Sequence, residues 1–166
     1  MNSHLSLDFT VNKPEKTVYI TVQFKAPLSL VWEAFTKQEL LDQWTAPMPW
    51  TSKTKYMNFE VGGKRFYAMV SPEGLERWAI QKYTFINPTT TFKMSNAFAD
   101  QDENPEMPGS EWEYKFQENN GLTEVNLSIY NESLERMEKM LEMGFKEGFT
   151  MTLKNLEKLL ANITNK

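Results

Sequence analysis

A chain of 166 residues with 40% hydrophobic content has the length of one domain, and enough apolar material for a core without covalent staples. It has no cysteine, which excludes disulfides, thiolate metal sites, iron–sulfur clusters and cysteine nucleophiles. Its single histidine, His4, excludes histidine triads and clustered histidine metal sites, and a net charge of −4 speaks against a nucleic-acid partner.

No segment approaches the roughly 18 consecutive apolar residues of a membrane span. The opening ten residues lack the basic region and apolar run of a secretory signal. A cytoplasmic, reducing compartment and no membrane partner are therefore expected. No internal repeat and no linker divides the chain.

Residues 1–16 are polar and read as an irregular N-terminal segment. Residues 17–25 alternate, with Val18, Ile20, Val22 and Phe24 on one face, which predicts a half-buried strand. Ala26-Pro27 ends it. Ser29 is placed to cap a helix running to about Lys37, with Leu28, Val31, Trp32 and Phe35 at helical spacing. A second short helix follows over 38–44, then a loop over 45–55 holding Pro47 and Pro49. Residues 57–61 and 64–70 flank Gly62-Gly63, a two-residue hairpin signal. Ser71-Pro72-Glu73-Gly74 is a turn, 76–86 a third strand and 90–97 a fourth. Residues 100–110, acidic and with two prolines, form a solvated loop. Strands over 111–117, with Trp112, Tyr114 and Phe116 on one face, and over 122–130 are joined by Asn119-Asn120-Gly121. A single long helix is predicted over 133–161, with an apolar stripe of Met137, Leu141, Phe145, Phe149, Leu153, Leu156 and Leu160.

The order predicts an α+β fold: a curved antiparallel β-sheet wrapped around a long C-terminal α-helix, with two short helices after the first strand. One domain over 17–162 with a tail over 163–166 is expected. A curved sheet gripping one helix tends to leave a gap between them.

Three segments resemble a known family. They are Ala26-Pro27, Val31-Trp32, Phe35-Thr36, Trp44 and Pro47; then Gly62-Gly63 with Pro72 and Gly74; then Gly144-Phe145, Gly148-Phe149, Leu153, Leu156 and Leu160. Over about 17–161 the chain resembles the START-like, Bet v 1-like (SRPBCC) superfamily of helix-grip folds, and within it the family related to the activator of Hsp90 ATPase. Phenylalanine stands at 145 and 149 where that family usually has tryptophan. The two helical glycines, four apart, are expected to leave a smooth groove against which sheet backbone or the Trp32 ring packs.

The candidate chemistry is aromatic and sulfur-bearing: eleven Phe, six Tyr, five Trp and ten Met. Trp44, Trp78, Phe92 and Met94, with Trp112, Tyr114, Phe145 and Phe149, are candidates to line the space between sheet and helix. A dry void of about 300 Å³ would cost roughly 7 kcal/mol at about 24 cal/mol per Å³. Collapse of large side chains, leaving a small adaptable pocket, is therefore expected.

In a two-residue hairpin Glu60 faces Arg65 and Phe59 faces Phe66. Apolar logic then turns Phe59, Val61, Phe66, Ala68 and Val70 inward and leaves Glu60–Arg65 as a solvated pair. The family pattern turns 65, 67 and 69 inward instead, which adds Tyr67 and Met69 to the candidate lining and carries Arg65 into the cavity. The solvated pair is the expectation taken from the residues. Glu111 and Glu113 share a solvated strand face, and Asp42 and Glu76 have no visible partner. No phosphate-binding loop, nucleophile elbow or metal-ligand spacing is present. No catalytic residue, metal or cofactor is expected.

The function expected is binding of a small apolar or amphipathic molecule in the cleft. The alternatives are a protein-interaction domain like an Hsp90 co-chaperone, as the resemblance implies, or an enzyme acting on a hydrophobic substrate through a carboxylate or tyrosine. Only 16 residues precede the first expected strand, which leaves no room for the separate N-terminal domain of such activators. A homodimer through a sheet edge or the helix stays open.

Overall fold

The computed structural model describes residues 5–107 and 109–164. His4 and residues 165–166 of the expected tail lie outside the described residues. Eight antiparallel strands form one sheet in the order β1-β2-β8-β7-β6-β5-β4-β3, and the C-terminal helices lie in its hollow.

The described residues begin with a strand at Ser6, within the stretch expected to be irregular. Ser6–Asn12 (β1) pairs with Thr17–Phe24 (β2), setting Leu7, Phe9 and Val11 opposite Val22, Ile20 and Val18. Leu5, Leu7, Phe9 and Val11 alternate with Ser6, Asp8 and Thr10, a period-two strand signal inside a segment read as irregular from its polar character. The β2 edge supplies the missing half of the ladder. The side chains of Val18, Ile20, Val22 and Phe24 are buried as their alternation requires.

Leu28–Thr36 (α1) and Gln38–Leu41 (α2) follow. Ser29 lies inside α1 and does not cap it. Pro27 is the cap residue and has no side-chain hydrogen bond, and the Leu28 N–H instead donates to Glu118 Oε1 at 2.7 Å. A carboxylate 90 positions away thus serves a helix N-terminus, which favours negative charge.

The stretch expected as loop contains Thr51–Met57 (β3), which pairs with Lys64–Val70 (β4). The connection is six residues long, not two. Met57 faces Arg65, Tyr56 faces Phe66, and a bulge falls between Thr54 and Tyr56. Residues 58–63 are no strand, so the pairs Glu60–Arg65 and Phe59–Phe66 do not form. The loop is pinned from the next strand, where the Tyr83 N–H donates to the Gly63 carbonyl and the Gly62 N–H to the Tyr83 carbonyl. Position 63 admits only glycine, because a Cβ there would fall 2.1 Å from the Asn58 carbonyl oxygen.

Glu76–Asn87 (β5), Thr91–Ala99 (β6), Ser110–Asn119 (β7) and Leu122–Asn131 (β8) complete a meander whose last strand returns to β2. The Ser71–Gly74 turn closes as expected, with the Gly74 N–H donating to the Ser71 carbonyl at 2.9 Å.

The long terminal helix is two helices, Leu134–Glu142 (α3) and Phe145–Thr164 (α4). Ser133 caps α3, its side chain accepting from the Arg136 N–H. The break falls at Gly144, whose φ of 93° is left-handed and ends α3. Hydrophobic periodicity continues across the break, which is why one helix was expected. The glycine groove does not form either. Nothing lies within 4 Å of a Cβ built on Gly148, and Trp32 packs on Phe59, Phe92 and Phe116 instead. The dry core lies where Leu153, Leu156 and Leu160 of α4 meet β2, β8 and α1.

Candidate ligand-binding site

Between the concave face of β4–β8, the two terminal helices and the segment after α1 lies a cavity of about 460 Å³. It exceeds the small collapsed pocket expected from the cost of a dry void. Its wall explains the difference. Polar groups are distributed over an otherwise aromatic surface, so the space can hold water or a polar-bearing guest and is not bare hydrocarbon.

Strand phase decides what faces the space. On β4, Arg65, Tyr67 and Met69 line it; on β5, Arg77, Ala79, Gln81 and Tyr83; on β6, Phe92, Met94, Asn96 and Phe98; on β7, Ser110, Trp112 and Tyr114. Trp44 closes one side, its indole N–H donating to the Ala34 carbonyl at 2.9 Å. Phe145 and Phe149 stack on each other from α4, centroids 5.3 Å apart, and meet the Trp112 ring edge-on. Of the candidate lining residues, only Trp78 lies elsewhere. It belongs to the opposite phase of β5 and stacks on Phe66 with centroids 4.6 Å apart.

Arg65 is the main correction. It is 1% exposed, not solvated. Its Nη2 donates to Asp42 Oδ1 (3.2 Å), Ser52 Oγ (3.1 Å) and Thr45 Oγ1 (3.2 Å), and its Nε donates to Thr54 Oγ1 (3.1 Å). Its guanidinium lies 3.8 Å from the centroid of the Tyr67 ring. Asp42, at the end of α2, also accepts from Ser52 Oγ, from the Thr54 hydroxyl and from the Thr54 N–H. Ser52 and Thr54, in the polar stretch that made β3 look like loop, therefore solvate an ion pair whose arginine is buried and whose carboxylate is a quarter exposed. Such a pair is tolerated only when its remaining donors and lone pairs are satisfied. The Phe66 face points away from the cavity, onto Trp78 and Tyr56.

Three tyrosines face the same space. Burial pushes Tyr67, Tyr83 and Tyr114 above the usual phenol range, with the Arg65 charge opposing the rise in each case. Their hydroxyls therefore stay protonated at neutral pH, as hydrogen-bond donors. Sequence reasoning missed Asp42, Gln81, Asn96 and Asn131. The signal for the middle two was available, since Gln81 shares its strand phase with Tyr83, and Asn96 with Met94.

The family model described as Activator of Hsp90 ATPase homolog 1-like protein matches residues 25–161. The chain belongs to that family. No curated protein matches the chain. Among solved structures, a protein from Mycobacterium smegmatis superposes with a TM-score of 0.88 at 24% identity, covering 96% of this chain and 99% of that one. One from Arthrobacter aurescens gives 0.89 at 24% identity, covering 93% and 91%. One from Staphylococcus epidermidis gives 0.82 at 28% identity, covering 92% and 94%. Family membership and these likenesses fix the helix-grip architecture of the START-like superfamily. Among the described residues, no helix is long and apolar enough to cross a membrane.

Proposed function

We propose that this family member binds a small, largely apolar molecule in the cavity between its sheet and its C-terminal helices. The observation that carries this reading is the cavity itself: about 460 Å³, within the range of ligand sites, walled by aromatic and methionine side chains. A packed core does not keep such a space, and the wall presents few groups arranged for acid–base chemistry. Asp42, the carboxylate beside Arg65, is committed to four hydrogen bonds, and the tyrosine hydroxyls are held neutral. Binding, not turnover, is what this geometry supports.

The test uses the neutral fluorescent probe N-phenyl-1-naphthylamine. Wild-type protein is expected to bind it saturably, with energy transfer from Trp44 and Trp112. A bulky side chain at the open Gly148 position (Gly148→Trp) is expected to abolish binding while far-ultraviolet circular dichroism stays unchanged. Undiminished probe binding by a folded Gly148→Trp variant would place the probe elsewhere and remove the reading.

A further inference from the structure

One line of side chains crosses the cavity wall and is polar at every position. The strand registers place Arg65 opposite Gln81, Gln81 opposite Asn96, Asn96 opposite Ser110 and Ser110 opposite Asn131. All five line the cavity. The row on one side of it runs Tyr83, Met94, Trp112 and Ile129, and the row on the other runs Tyr67, Ala79 and Phe98. Four strand spacings of about 4.8 Å make the polar line roughly 19 Å long on a flattened sheet.

Its groups are incompletely partnered. Asn131 is 1% exposed, and its Nδ2 has no hydrogen-bond partner; the buried Asn96 Oδ1 has none either. Between them, Ser110 Oγ accepts from the Trp112 indole N–H at 2.7 Å. A buried donor or acceptor left without a partner carries a desolvation penalty that a complementary guest relieves. At the far end the Arg65 charge is already matched by Asp42 at 3.2 Å. Three further basic residues line the cavity: Arg77, half exposed and paired with Glu106 at 3.7 Å, and Arg136 and Lys139 on its α3 side. Along the polar line itself the groups left free are amides and hydroxyls, the Arg65 charge being committed.

Resting on the cavity-binding reading, we infer that this polar line is a specificity rail. It selects an elongated, uncharged apolar ligand that carries hydroxyl or carbonyl oxygens and lies across the strands. A hydrocarbon of the same shape leaves Asn96 and Asn131 unpartnered, and a carboxylate laid along the line meets no free cation there, since Arg65 is already paired.

Three rods of one skeleton separate these cases: trans-stilbene, 4,4′-dihydroxystilbene and 4,4′-stilbenedicarboxylate, titrated against wild type and against Asn96→Leu, Asn131→Leu and the double variant. Both uncharged rods are expected to bind wild type, and the dicarboxylate at least tenfold more weakly than the diol. The ratio of diol affinity to stilbene affinity is expected to fall at least tenfold in the double variant and several-fold in each single one, with stilbene binding retained. Retained stilbene binding reports an intact cavity, and Asn96→Leu, at the less buried position, carries the test if Asn131→Leu does not fold. An unchanged ratio overturns the rail and leaves cavity binding standing. Tightest binding by the dicarboxylate overturns the requirement for an uncharged guest. No binding of any rod overturns both the rail and the cavity reading.

Discussion

The last three turns of α4 and its first two meet different surfaces. Leu153, Leu156 and Leu160 are buried in one cluster with Val18, Ile20 and Val22 of β2 and Val125 and Leu127 of β8, and the space Leu153 borders there with Ile20, Val22, Val125 and Leu127 is about 10 Å³. Phe145, Gly148 and Phe149 face β4–β7 across a space of about 460 Å³. One helix and one sheet therefore make a filled half and a hollow half. The filled half is mainly aliphatic, and its buried Thr123 hydroxyl donates to the Ala26 carbonyl. In the hollow half, flat rings line the walls and cannot reach across, the helix contributes a glycine, and the sheet contributes amides, hydroxyls and a committed ion pair. Strong burial and a persistent cavity coexist because they occupy different lengths of the same elements.

Leu156→Ala is expected to test the contrast hardest. In the filled half it should cost about 3 kcal/mol by urea denaturation, as core truncations do. Phe149→Ala removes more atoms yet borders open space, so it should cost less than half as much. Equal losses would erase the distinction. Asp42→Ala comes next, with an expected loss of about 3 kcal/mol because Arg65 is left buried and unpaired. Adding Arg65→Met should return most of that loss, whereas additive losses would show that the pair is not coupled. The smallest effects separate the two helical glycines. Gly144→Ala should lower stability by about 1–2 kcal/mol at its left-handed φ. Gly148→Ala, in regular helix with open space, should raise it by up to about 1 kcal/mol. A loss at both positions would mean that the first turns of α4 are packed after all.

The filled half was largely legible in the amino-acid order, because its strands alternate cleanly and Leu153, Leu156 and Leu160 keep helical spacing. The hollow half was legible in its aromatics and illegible in its polar groups. Arg65, Tyr67 and Met69 alternate with Phe66, Ala68 and Val70, so both faces of β4 contain apolar residues and hydrophobicity alone does not choose between them. The choice is made by Asp42, Ser52 and Thr54, which meet the Arg65 side chain only in three dimensions. The family pattern at 65, 67 and 69 indicated the correct phase, and the two-residue reading of Gly62-Gly63 argued against it. β3 was missed because it is a polar edge strand, and β1 because the polar make-up of residues 1–16 hid the alternation of Leu5, Leu7, Phe9 and Val11. The break in the terminal helix needed the conformation of Gly144, which periodicity does not report.

The topology also sets an order of assembly. Strands β3 to β7 are successive neighbours, so each can zip onto the one before it as the chain lengthens. The β2 ladder pairs residues 17–24 with 123–130, a closure over about a hundred positions that waits for nearly the whole polypeptide. A nascent chain therefore owns every strand that borders the cavity, save β8, while β2 has only its β1 partner and the β2–β8 ladder is still open. During synthesis the wall exists first and its anchor last.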